Sequence, residues 1–599
     1  MPLALSYPGV YIEEVESGVR PITGVATSIT AFLGRALRGP VDVPVTIFGY
    51  GEFERIFGGL WADAPLGYAV RDFFLNGGGQ AIVVRLFNLS DEAEAAAASV
   101  AQAALAAVGG GDPDAVAAAA RAAVSGTPGS AANKAGDAVA DAAEAAAAVP
   151  GASDADVADA AADATAGAVA DAAPTNARID ANGLALEAAF PGAWGNSLRA
   201  RIDDDVAPGT TGLFNLSVYD GLTGTVELYR NVSVDPANSR RVDKVLEKSA
   251  LVRVRGALPG AAPTAHADPA PGEKLWDDNS PATNSETDTA VTATDGDPTA
   301  EAHFTGPGLE GAKRGLYALD KADLFNLLCL PPHVQGGSIE GSLIDSALTY
   351  CERRRAMLII DPPAGWASVA DALAGVETDI GRAHPNGALF FPRAMEADPL
   401  REGRQDAFAP CGAIAGLFAR TDAERGVWKA PAGLAASLAN VSALQVPLTD
   451  MENGQLNMRG INCLRSMPPA GQVAWGARTR EGDDRLASQW KYVPVRRTAL
   501  FIEESLYRGT RWVVFEPNDE PLWANIRLNV GAFMQRLFRQ GAFQGSSARD
   551  AYFVKCDGET TTQADIDLGI VNVLVGFAPL KPAEFVVVRI QQIAGNIPT

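Results

Sequence analysis

Basic charge, histidine and cysteine are all scarce in this chain of 599 residues. Lysine and arginine number 49 against 72 aspartate and glutamate, a formal net charge of −23. That balance excludes partners recognised by phosphate neutralisation, so nucleic acid and anionic membrane surfaces are not expected. The five cysteines (Cys329, Cys351, Cys411, Cys463 and Cys556) are odd in number and widely spaced with no CxxC pair, which predicts reduced, buried thiols. None of the four histidines stands in an HExxH spacing, so no protein-built zinc site or other metal or cofactor is expected. A P-loop is missing as well. The one glycine fingerprint, GPGLEG at Gly306–Gly311, follows a polar stretch instead of a buried strand, and Pro307 removes an amide that a phosphate would need. Long apolar runs are absent too: Ala95–Val108 is mostly alanine, broken by Ser99 and Gln102, too weakly hydrophobic to span a bilayer. Glu13 and Glu14 close behind the start leave no readable secretory signal, which implies cytoplasmic assembly.

What is present is length and α/β patterning. The chain is too long for one hydrophobic core. Residues 1–22 read as an arm whose extended segment is Val10–Val15. Residues 23–90 read as a small α/β domain, with the run Ile29–Leu33, a strand over Val45–Phe48, a helix over Leu66–Leu75 and a strand over Ala81–Leu86. Alanine then dominates 91–175, which predicts short, weakly packed helices. Alternating patterns predict a β-rich insertion over 176–257, and the Pro-, Asp- and Thr-rich stretch 258–314 reads as a flexible linker. Over 315–470 short apolar runs at Leu324–Leu330, Met357–Asp361 and Ala388–Phe391 alternate with helical stretches near Ile339–Arg354 and Val369–Arg382, the logic of a largely parallel sheet. A final α/β domain is expected over 471–583, followed by a strand or arm at 584–599. In it Val513, Val514 and Phe515 read as a buried strand, Pro517–Asp519 as a turn, and Glu520–Arg539 as a helix with Leu522, Ile526, Val530, Phe533 and Leu537 on one face.

Candidate chemistry is thin. A hydrolytic triad would need a serine, a histidine base and an orienting aspartate. His333 and His384 sit beside prolines, in PPHV and AHPN, and read as turn histidines, with Asp361 and Ser338 as accidental neighbours. Asp203–Asp205 and Asp483–Asp484 lack the spaced ligand loop of a calcium site and read as solvated loops. No catalytic residue is predicted.

Several strings carry a resemblance. WVVFEPNDEPLWANIR at Trp512–Arg527 and GFAPLKPAEFVVVRI at Gly576–Ile590 resemble the C-terminal domain of contractile phage-type tail sheath proteins. YPGVYIEEV at Tyr7–Val15, FLNGGGQAIVVR at Phe74–Arg85, PGAWGN at Pro191–Asn196, INCLRSMPPAGQV at Ile461–Val473, WGART at Trp475–Thr479 and KYVPVRRTALFIEES at Lys491–Ser505 resemble sheath strings in the same order. Where the family often has an FPGRG-type segment before WGART, this chain has MPPAGQV. The alanine-rich block and the Pro-rich stretch match nothing in it.

The resemblance implies a multidomain α/β fold with a subtilisin-like, non-catalytic middle domain, an α/β C-terminal domain, a small N-terminal α/β domain and a β-rich insertion. It implies a structural subunit that polymerises as a helical tube around an inner tube protein, with baseplate and terminal cap proteins at its ends, and is released within a phage or injection particle. Contraction would draw on a metastable packing, since no nucleotide site is readable. Strands at Val10, Tyr11, Ile12, Glu13, Glu14 and Val15, and at Phe585, Val586, Val587, Val588, Arg589 and Ile590, are expected to complete a neighbour's sheet; the alternative is an intramolecular edge strand. The inner-tube contact is expected at Arg527, Arg536, Arg539 and Arg549, cations suited to a negative tube surface. Two other readings stay open: a non-contractile filament or surface-layer protein, and a degenerate subtilisin-like protease.

Overall fold

The structure is a computed structural model that describes residues 20–88, 91–108, 112–124, 131–150, 152–172, 176–206, 210–276, 282–289 and 292–587. Its centre is an eight-stranded sheet in the order Gly471–Ala474, Ile461–Met467, Gly387–Phe391, Met357–Ile360, Leu327–Cys329, Thr30–Gly34, Ala81–Arg85, Val45–Ile47. The inner pairs are parallel and the two edge pairs antiparallel. Strands buried on both faces are apolar throughout, and alternate residues serve opposite cores. Phe32, Val83, Leu327, Met357 and Phe390 face the helices Leu66–Leu75 and Cys411–Arg425. Ala31, Val84, Leu328, Leu358 and Leu389 face Gly341–Arg354 and Val369–Thr378.

This sheet corrects one expectation. The segments 23–90 and 315–470 read as separate domains, yet Thr30–Gly34 pairs directly with Leu327–Cys329, register Thr30↔Leu327. Neither half can cover its own apolar strands alone, because each supplies an open parallel edge that the other satisfies. Their helices also meet closely: Gly412 and Gly416 of Cys411–Arg425 lie on the backbone of Ala69 and Phe73 in Leu66–Leu75.

The alanine-rich stretch forms four helices, Asp91–Ala106, Pro113–Ala122, Ala131–Ala147 and Asp154–Ala172. They share a core in which Val100, Val116, Val139 and Val157 are fully buried among alanines. Packing is thus tighter than the composition suggested, because small side chains let helix backbones approach. Arg121 bridges Asp137, Asp141 and Glu144, a row on one face of the third helix.

The expected flexible linker 258–314 is instead held at both of its ends: its last part packs on the main sheet unit, where Phe304 is buried with Leu328 and Leu343, and its first part is laid onto the β-rich unit. Ser285–Glu286 pairs antiparallel with Leu198–Asp203, His266 is buried with its Nδ1 accepting from the Ile202 amide at 3.0 Å, and Arg201 donates to the carbonyls of Ala267 and Thr283. Backbone pairing and a buried guanidinium supply the order that apolar residues do not. Arginines at the carboxyl ends of two central strands then hold this unit in place. Arg85, 1% exposed, donates to the carbonyls of Ala36, Gly39, Leu37 and Pro191, and burial pushes its guanidinium down to about 9. Arg35 donates to the Gly296 carbonyl, and Arg38 pairs with Asp220 at 3.1 Å.

Candidate assembly interface

The last part of the chain is built on two helices. Val493–Gly509 packs against the main sheet unit, where Arg497 and Asp422, each 4% exposed, pair at 2.6 Å. Glu520–Arg539 forms where the sequence placed it: the Asp519 side chain accepts from the Leu522 amide, Pro521 occupies the first turn, and Leu522, Ile526, Val530, Phe533 and Leu537 are buried.

Between these helices the expected buried strand at Val513–Phe515 is absent. Arg511–Val513 is a single 3-10 turn, Val514 is 62% exposed, and Phe515 is fully exposed with φ 71°. Strand propensity needs a partner edge, and a three-residue run between two helices meets none. The sheet of this unit lies elsewhere: Tyr552–Lys555 and Leu574–Phe577 form an antiparallel pair with the register Tyr552↔Phe577 to Lys555↔Leu574. Neither strand has a further strand beside it among the described residues. Phe553 and Leu574 are half exposed.

The amino end of the described chain packs on this unit, and the carboxyl end passes from it to Arg478 beside the central sheet. At the amino end, the Arg20 amide donates to Asn529 Oδ1 at 3.0 Å, the Arg20 guanidinium lies 4.9 Å from the centre of the Trp512 ring, Ile22 is 1% exposed, and Arg536 donates to the Ile22 carbonyl. At the carboxyl end, Phe585, Val586 and Val587 are exposed and take no regular structure. The predicted strand residues Val10–Val15, and Val588, Arg589 and Ile590, lie outside the described residues.

The four arginines named as tube contacts separate into two kinds. Arg527 pairs with Glu520 at 2.6 Å and donates to the Cys556 carbonyl, and Arg536 holds Ile22. Arg539 and Arg549 are exposed. The hydrolase residues are not brought together: His333 faces Glu340 and Thr299, His384 faces Glu352 and the Asn386 amide, Asp361 accepts from the Cys411 amide, and Ser338 accepts from the Ala364 amide. The GPGLEG string joins two short helices, Ala302–Thr305 and Leu309–Ala312, without a preceding strand. One polar contact escaped the sequence: Arg478 of WGART grips Glu584 across 106 residues, a pairing for which local spacing carries no signal.

Comparison with known proteins decides the reading of this unit. The family described as phage tail sheath C-terminal domain matches residues 487–593. A putative prophage major tail sheath protein of Pseudomonas aeruginosa is 25% identical over 296 residues, covering 48% of this chain and 70% of that protein. The chain is thus similar to tail sheath proteins, and its C-terminal region to their C-terminal domain. The fold agrees over nearly the whole length. A sheath tail protein of Listeria innocua superposes with a TM-score of 0.53 at 11% identity, covering 94% of this chain and 96% of that one. The sheath of an extracellular contractile injection system in its contracted state gives a TM-score of 0.50 at 18% identity, covering 99% of each chain. These likenesses bear out a mixed α/β multidomain architecture. Among the described residues no helix is long and apolar enough to cross a membrane.

Proposed function

We propose that this chain is a sheath subunit, that it polymerises around an inner tube by exchanging terminal strands, and that contraction drives the tube through a target envelope. The two-stranded sheet Tyr552–Lys555/Leu574–Phe577, with no further strand at either edge among the described residues, carries the reading. An open edge offers main-chain donors and acceptors to an incoming strand. The apolar run Phe585–Val587, exposed just beyond this unit, is the kind of segment that such an edge accepts. Donation to the next copy does not close on itself and therefore grows a tube. Main-chain pairing through arms also lets subunit bodies rotate while remaining connected, so free energy stored in a metastable packing can be released without breaking the tube. The arms are Val10–Val15 and the residues after Glu584.

The main sheet unit is read as a subtilisin-like body without the catalytic groups. Arg539 and Arg549, exposed on the unit that carries the open sheet, are the favoured tube-facing cations, while Arg527 and Arg536 hold the chain itself. Inner tube, baseplate and terminal cap proteins are the proposed partners, and assembly is placed in the cytoplasm before release of the particle. Deleting residues 1–20 should leave a folded monomer that forms no tubes in electron micrographs. Normal tubes from that variant would end the strand-exchange reading. Reversing Arg539 and Arg549 to glutamate should prevent co-assembly with the inner tube; undiminished co-assembly would remove both residues from the contact.

A further inference from the structure

Beyond the antiparallel pair the chain runs over a groove. A bridge between Phe543 and Pro579 is its last pairing with the C-terminal unit, supported by the Gln544 amide donating to the Ala578 carbonyl at 2.9 Å. Leu580–Ala583 then crosses in no regular structure, above a cavity of about 690 Å³ whose walls include Trp428, Trp475, Lys429 and Asn457. On the far side the strap is caught. Arg478 Nε and Nη2 donate to the two carboxylate oxygens of Glu584, both at 2.7 Å, and Tyr492 Oη donates to Oε2 at 3.3 Å.

This grip is built to one geometry. The Arg478 side chain is 1% exposed, and its Nη1 is committed to the carbonyls of Asn457 and Gly482 and to Asp484. Its backbone is pinned to the central sheet by Asn462, which accepts from the Arg478 amide at 2.7 Å and donates to its carbonyl at 2.8 Å. A planar guanidinium held on three sides presents one remaining edge, and a carboxylate meets that edge in a single orientation. Lysine at 478 would keep the charge and lose the fork.

The geometry points to Arg478 and Glu584 as the positioning pair that sets where the C-terminal arm begins. The inference rests on the strand-exchange reading above. With the pair closed, Phe585 leaves the body from a fixed point, so Glu584 belongs to the body and not to the exchanged strand. With the pair open, the last fixed point retreats to Pro579, and five more residues, up to about 17 Å of extended chain, must be ordered whenever the arm docks.

The test uses the full-length chain in three forms: Glu584→Gln, a five-residue Gly/Ser insertion between Glu584 and Phe585 with the pair intact, and deletion of 585–599. Glu584→Gln should leave the melting temperature of the main body in place. It should speed amide hydrogen exchange at residues 580–587 at least tenfold and raise the concentration needed for tube assembly at least tenfold, about 1.4 kcal/mol. The insertion should reproduce the assembly defect while residues 580–584 stay protected, which a purely structural role for the pair would not do. Assembly of Glu584→Gln, or of the insertion variant, at the wild-type concentration overturns the inference, provided that the deletion abolishes tubes. Tubes from the deletion would overturn strand exchange itself, and the inference with it.

Discussion

Replacing Gly416 by alanine should destabilise the main unit by about 2 kcal/mol, although the same change in an open helix stabilises. A Cβ at 416 would lie 2.3 Å from the carbonyl oxygen of Phe73, and one at 412 would lie 2.0 Å from that of Ala69, where ordinary contact begins at 3.4 Å. The obstructing atoms are backbone of the helix Leu66–Leu75, which cannot turn aside as a side chain can. The helices Leu66–Leu75 and Cys411–Arg425 would therefore have to part by about 1 Å, loosening the fully buried Phe73, Ile414 and Leu417. Overpacking costs roughly 1–3 kcal/mol, and a clash between two backbones lies at the top of that range; set against about 1 kcal/mol gained from alanine's helix propensity, the net loss is about 2 kcal/mol. For a unit of this size that corresponds to a fall of about 4–8 °C in melting temperature. Gly531, inside Glu520–Arg539, has nothing within 4 Å of a built Cβ. Gly531→Ala should gain about 1 kcal/mol. Both are measured by thermal and denaturant unfolding of the monomer followed by circular dichroism. A Gly416→Ala variant that melts at or above the wild type, or a Gly531→Ala variant that falls as far as Gly416→Ala, would refute the argument from close helix approach.

Two further outcomes follow from buried charge and from modular packing. Asp72 and Glu396, 2% and 1% exposed, share Arg71 and Asn440; burial pushes Asp72 up to about 6 and Glu396 well above the ordinary carboxyl range. The folded state holds a proton that the unfolded chain releases near 3.8, so this stabilisation is fully present below about pH 4 and lost as pH rises through 6. Roughly 1.4 kcal/mol should vanish between pH 5 and pH 8, and Glu396→Gln should flatten that slope in urea unfolding; parallel curves for the two proteins would exclude the pair as its source. Deleting 91–175 and closing the gap with a short Gly/Ser linker should leave the melting of the main sheet unit within about 2 °C, since the four helices share a core of their own and surface changes elsewhere cost little. A drop beyond that would mean that the bundle supports the body.

Much of the local structure was legible because its causes are local. The helix Glu520–Arg539 needs only Asp519 at its N-cap, Pro521 in its first turn and an apolar face at helical spacing. The helix Leu66–Leu75, and the strands Met357–Ile360 and Gly387–Phe391, likewise announce themselves in the apolar runs that surround them. Phe515 shows the limit: a run of Val513, Val514 and Phe515 has strand propensity, but whether a strand forms depends on an edge that only the fold can supply. Of the candidate interface, Phe585–Val587 could be read from pattern, whereas Arg478 and Glu584 could not, because their meeting is set by how residues 106 apart are folded together.

The sequence by itself determined the class of this protein: an acidic, histidine-poor α/β chain with strings in the order of sheath sequences and apolar segments near both ends. Hydropathy period, capping residues and charge balance are properties of neighbours along the chain, so they survive without coordinates. Tertiary structure alone decided that residues 30–34 and 327–329 share one sheet, that Ser285–Glu286 is paired onto the β-rich unit, and that Glu584 is gripped by Arg478. Each of those depends on a hydrogen-bonding edge or a buried guanidinium finding a partner far away in sequence. Such pairings are fixed by the geometry of the whole fold and leave no spacing in the sequence from which to read them.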